Sequence, residues 1–214
     1  MALSSGAPMH KTDEELEAVA RKFLRIIGLE KQVRPDMMTI ISKLKHVVPS
    51  FGYRRVPDAD LPDADAQWSS DDFEIRMRES VFVGMQRGDP RARMTVSHEL
   101  SHYLLGHKGL LNRGTVKSVA EMSVRRIISQ ESEARRLAPI ILAPEHLIPD
   151  PASIDDIVSM FGLSQQAAVI RKDEVDAIRR RRRGEPRPLP QSIIDYLREA
   201  KRRGVPVRTD LGDD

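Results

Sequence analysis

Apolar residues recur along this chain mostly at helical spacing. Thr12 and Glu15 have the spacing of a capping box for a first helix that ends near Gly28. A second helix begins near Pro35 and buries Met37, Ile40, Ile41, Leu44 and Val48. The pattern then changes. Residues 57–72 are rich in Asp, Pro and Ala and read as a solvated acidic loop. Phe73 to Met77 and Val81 to Met85 alternate or run apolar around a Glu79-Ser80 turn, and are predicted as two short strands. Helical spacing returns between Asp89-Pro90 and Gly106, where Ala92, Val96, Leu100, Tyr103 and Leu104 form one stripe. Asp89 is a suitable N-cap, Pro90 a suitable first helical residue and Gly106 a suitable left-handed stop.

Downstream, Ser129 can cap a helix with apolar positions Ala134, Leu137, Ala138 and Ile141. Pro139 lies inside it and should kink it, since proline cannot bond the Arg135 carbonyl. Ser153 to Phe161 forms a short helix, Gly162-Leu163-Ser164 a turn, and Gln165 to about Arg183 a second helix. This outline is that of a helix-turn-helix. The arginine run Arg179 to Arg183 could touch phosphates, but it sits at the far end of the second helix, away from where bases are read. A packed helical hairpin is favoured over DNA binding. Gly184 to Pro190 is a Pro-rich linker. Gln191 to Arg203 is a last amphipathic helix, with Ile193, Ile194 and Leu197 on one side.

These elements divide the chain into a disordered start over 1–11, a main domain over 12–150, a helical subdomain over 151–183, a linker over 184–190, and a helix with a loose tail over 191–214. The fold class expected is α+β and mostly helical. The acidic loop lacks the central glycine and terminal glutamate of a calcium-binding EF-hand. The 214 residues contain no cysteine, which excludes disulfides and suits a reducing compartment. No apolar run approaches the ~20 residues needed to span a bilayer, and the N-terminal stretch has no secretory pattern. A cytoplasmic protein without a membrane partner is therefore expected. A net charge of +3 is too small to argue nucleic-acid binding by itself.

The chemistry is concentrated in His98-Glu99-Leu100-Ser101-His102. On a helix, positions i and i+4 share a face, so His98 and His102 can offer two imidazole nitrogens to one metal ion. Glu99 projects about 100° round from His98, where its carboxylate can reach a water on that ion. The spacing suits a zinc hydrolase whose water is acidified by the metal and deprotonated by Glu99. Against this stands a surface helix with two solvated histidines. The well-defined ends and the apolar stripe favour the metal reading.

A catalytic zinc usually takes three protein ligands. Without cysteine, the third must be His, Asp or Glu. The longer metzincin motif is absent, with Leu105 and Lys108 in its later places. Continuing the helix turns His107 onto the apolar stripe, so it reads as a partly buried histidine. Glu131 and Glu133 are better placed. They lie about 200° apart around their helix and flank its stripe on opposite sides, so periodicity leaves both open.

Residues 91–107, RARMTVSHELSHYLLGH, followed by ESEARRLAPIILAP at 131–144, resemble the ImmA/IrrE metallopeptidases. That family carries a His-Glu-x-x-His helix and then a Glu-x-Glu-Ala-Asn-x-Phe-Ala-x-x-Leu-Leu-x-Pro helix. The likeness is close over 91–144 and loose over about 35–180. Departures are Ser101 for Gly, Arg135 for Asn, Leu137 for Phe and Ala143 for Met. The resemblance implies a zincin-like core with a small sheet beside the metal helix, whose edge could hold an extended peptide. It implies a gluzincin-type site in which Glu133 is the third ligand and Glu99 the catalytic base. Zinc is the expected ion, although manganese or iron can accept the same donors. It also implies the substrate: a helix-turn-helix transcriptional repressor whose cleavage derepresses stress-response or mobile-element genes. The competing expectations are a DNA- or protein-binding regulator with a structural or vestigial metal site, and a toxin–antitoxin component. The residue stabilising the oxyanion is open among Tyr103, His107 and several arginines.

Overall fold

The computed structural model describes residues 11–107 and 117–206. Residues 1–10 and 207–214, where a disordered start and a loose tail are expected, lie outside the described residues. The fold is α+β and mostly helical, with eight helices and a three-stranded sheet among the described residues. The chain divides into two compact units, 1–175 and 176–214.

Local sequence rules set most helix boundaries of the first unit. Helix α1 (Asp13–Ile26) starts at a complete Thr12/Glu15 capping box. Helix α2 (Met37–Val47) starts where the Asp36 carboxylate accepts the Thr39 N–H, and it buries Met37, Ile40, Ile41 and Leu44. Helix α4 (Pro90–Leu104) starts where Asp89 accepts the Ala92 N–H. Helix α6 (Ile154–Phe161) has a second capping box, Ser153/Asp156, and ends at Gly162 in the left-handed region.

Three expectations change. Val81 to Met85 is not a strand but part of helix α3 (Glu79–Gln86). Its buried residues Val81, Phe82 and Met85 fall at i, i+1 and i+4, a helical face that a short apolar run cannot distinguish from a strand. The expected loop over 57–72 contains a short 3-10 turn at Asp58–Asp60 and strand β2 (Ala66–Ser69). Ser129 is not an N-cap, because helix α5 runs unbroken over Lys117–Leu142. Pro139 lies inside α5 without ending it.

The sheet has the order β1-β3-β2, with β1 (Gly52–Val56) parallel and β2 antiparallel to the central β3 (Glu74–Arg78). Ile75 and Met77 of β3 are fully buried, on the alternation that a half-buried strand demands. They join one apolar core with Leu16, Ile40, Val96, Leu137 and Phe161. Ile157 and Phe161 of α6, with Leu163 and Ala168, belong to that same core. Helix α7 (Gln165–Arg183) begins in this unit. The turn before it is held by Arg93, whose guanidinium donates to the Phe161 and Gly162 carbonyls at 2.7 and 3.0 Å.

An ion cluster fastens α7 to α1. Arg171 is fully buried and pairs with Glu17 of α1 and with Glu174, while its Nε donates to the Ala143 carbonyl at 2.8 Å. Glu17 also accepts the Glu145 N–H at 3.1 Å. The second unit contains the end of α7, a segment without regular structure at 185–190, and α8 (Gln191–Arg202). No helix among the described residues is long and apolar enough to cross a membrane.

Removing one partner of a buried pair strands the other without solvent. Arg171→Leu is expected to lower unfolding free energy by about 3–5 kcal/mol in urea denaturation at pH 7. The double variant Arg171→Met/Glu17→Leu should recover part of that loss, because it removes the more deeply buried of the two carboxylates that Arg171 pairs, leaving only the half-buried Glu174 without its partner.

Candidate metal centre

Helix α4 presents the two histidines as its spacing requires. Their Nε2 atoms are 3.1 Å apart. The third donor beside them is Glu131, not Glu133. Glu131 Oε2 lies 3.2 Å from His98 Nε2, and Oε1 lies 3.3 Å from His102 Nε2. His98, His102 and Glu131 thus form a group that could hold a metal ion. Ligands about 2.0–2.1 Å from a tetrahedral ion stand roughly 3.3–3.4 Å from one another. The two imidazole nitrogens are near that spacing, each faces a different oxygen of Glu131, and one donor atom from each residue falls within 4.8 Å of the others.

The packing of α5 on α4 decides between the two glutamates. Ala134 and Ala138 are small and buried, and Ser97 of α4 donates to the Ala138 carbonyl at 2.8 Å. Glu131 flanks the stripe on the side that reaches His98 and His102. Glu133 flanks the other side, where its Oε1 accepts the Lys11 N–H at 3.1 Å and its Oε2 lies 3.2 Å from His107 Nε2.

His107 is not on the helix. Gly106 takes φ +65°, its N–H bonds the Tyr103 carbonyl, and the His107 N–H bonds the His102 carbonyl. This is a Schellman ending. It folds His107 back toward α4, where its Nδ1 meets His102 Nδ1 at 3.0 Å. Extrapolating the helix past Gly106 sends His107 in the wrong direction. The signal for its true place was Gly106 itself.

Trp68 is the second residue that sequence reasoning missed, hidden in a supposed loop. In β2 it pairs with Ile75 of β3, and its N–H points off the outer edge of the sheet. There it donates to Glu99 Oε2 at 2.7 Å, while its indole Nε1 donates to the His107 carbonyl at 3.3 Å. Ala66-Gln67-Trp68-Ser69 does alternate apolar and polar, the strand period, but over four residues that period decides nothing by itself. Its ring packs with Phe51, Phe73 and Tyr103. Tyr103 therefore serves this aromatic cluster.

Burial dominates the electrostatics. It holds His102 down at about 3, with the neighbouring His98 and His107 adding to the effect. It lowers His98 and His107 as well, against the pull of Glu131 and Glu133 respectively. It raises Glu99 to about 8, although the Trp68 N–H favours the carboxylate. Near neutrality the imidazoles keep their lone pairs and Glu99 keeps a proton. A cleft of about 460 Å³ opens here, lined by Ala66, Arg91, His98, Glu99, Glu131 and Arg135.

The raised Glu99 has a consequence for stability. Between about pH 4.5 and 8 the folded chain holds a proton that the unfolded chain releases, so stability falls as pH rises through that window. Urea denaturation of the chelator-treated protein should show wild type and Glu99→Gln alike near pH 4.5. By pH 8 the variant should be the more stable of the two.

No family model and no curated protein matches the chain. Among solved structures it is similar to a Mycobacterium tuberculosis transcriptional regulator, at 15% identity and a TM-score of 0.48. The likeness covers 74% of this chain and 46% of that one, so this chain spans less than half the length of that protein.

Proposed function

We propose that the chain is a metal-dependent endopeptidase of the ImmA/IrrE kind, with a zincin-like core and a zinc site made by His98, His102 and Glu131. The observation that carries this reading is the convergence of two imidazole Nε2 atoms and one carboxylate within 3.3 Å, with a half-buried glutamate next to the first histidine. Bound there, a zinc ion would supply Lewis acidity, acidifying a water and polarising a carbonyl.

Glu99 does the proton work. Its Oε2 is fixed by the Trp68 N–H, which leaves Oε1 to take a proton from the attacking water and return it to the departing amine. Burial favours the protonated form that makes this return, and a cation beside it would lower its pKa and favour the accepting form. Strand β2 is an edge strand, and Ala66 lines the cleft. The Trp68 N–H of that edge already donates to Glu99, so an extended peptide would pair with the edge's remaining backbone groups, its scissile bond beside Glu99. By the resemblance, the substrate is a helix-turn-helix repressor. The α6–α7 hairpin shares the main core and is read as part of the scaffold, not as a DNA reader.

Two measurements test this. Metal analysis and competitive chelation should show about one zinc per chain, and Glu131→Ala should weaken binding at least tenfold more than Glu133→Ala. The reverse order would return the ligand role to Glu133. In co-expression with a helix-turn-helix repressor, should one be encoded beside its gene, wild type should cut that repressor at one position. Glu99→Gln should retain its zinc and slow cleavage by about 10²–10⁴-fold. A zinc-loaded wild type that leaves the repressor whole would remove that substrate.

A further inference from the structure

Glu133 and His107 remain unused by that reading, yet both are held close to it. Glu133 Oε2 lies 3.2 Å from His107 Nε2, and His107 Nδ1 lies 3.0 Å from His102 Nδ1. His107 is 6% exposed. The Lys11 N–H and the indole of Trp68 fix the two ends of the pair from outside, through Glu133 Oε1 and the His107 carbonyl.

The hydrogen-bond directions follow from the chemistry of the ends. A carboxylate only accepts, so His107 must carry its proton on Nε2. In the neutral ring Nδ1 is then a lone pair and must accept. His102 must donate from Nδ1, which leaves its Nε2 as a bare lone pair turned toward His98 and Glu131. We propose that Glu133 and His107 are positioning residues: through this chain they fix His102 in the tautomer and ring orientation that can bind a metal. The proposal rests on the metal reading of His98, His102 and Glu131, and it gives Glu133 a role at the site other than ligation. Such partners of a metal-binding histidine are worth about 10–100-fold in affinity.

The test has two arms. Long-range ¹⁵N–¹H NMR of the metal-free protein reports histidine tautomers directly. His102 should be protonated at Nδ1 and His107 at Nε2. A proton on His102 Nε2 overturns the proposal. In the second arm, zinc is titrated against a competing chelator, with urea denaturation of each metal-free variant alongside. His107→Phe removes the acceptor and should weaken zinc binding about 10–100-fold. His107→Asn offers an amide oxygen near the place of Nδ1 and should stay within about threefold of wild type. Equal losses in both variants, tracking their loss of stability, would make His107 merely structural and overturn the proposal. Wild-type protein with the stated tautomers but no measurable zinc affinity would overturn the metal reading instead, and with it the function assigned to the chain of hydrogen bonds.

Discussion

The close approach of α4 and α5 governs everything at the candidate site. Two small residues of α5, Ala134 and Ala138, face an α4 surface that includes the buried Ser97 and Ser101. Ser97 bonds across the interface to the Ala138 carbonyl, and Ser101 turns inward to the Ser97 carbonyl at 2.7 Å. Neither hydroxyl is left unsatisfied in the core, where an orphan would cost about 1–3 kcal/mol. With bulkier residues the axes would separate, because a packed interior resists added volume. Glu131 would then lose its position beside His98 and His102.

The same packing explains why the sequence yields two of the three donors and leaves the third open. His98 and His102 belong to one helical turn, so their convergence is a local property. Glu131 and Glu133 flank one stripe almost symmetrically. Which flank meets α4 and which meets the segment before α1 depends on tertiary packing. The resemblance favoured Glu133, whereas the geometry sets Glu131 beside the imidazoles. Helix ends were legible for the local reason again: capping boxes, Asp89-Pro90 and Gly162 act within four or five residues. Val81 to Met85 and Ala66 to Ser69 are too short for period alone to decide. The sheet that surrounds them decided their state.

Trp68 ties these levels together. A single edge residue donates through its backbone to Glu99 and through its indole to the His107 carbonyl, while its ring fills the core. The sheet is therefore part of the site's frame and not only a platform for the helices. It also exposes Glu99 to little water, which is why burial outweighs the hydrogen bond in setting its proton affinity.

Helix α4 ends at Gly106 in a Schellman turn. In a Schellman turn, the residue after the left-handed position usually presses a greasy side chain against the final helical turn. Here that place holds an imidazole, pressed against another imidazole. Handedness at one achiral residue, Gly106, decides whether the ring five places beyond His102 becomes its neighbour or swings to the opposite side. What reads along the chain as punctuation works in space as aiming.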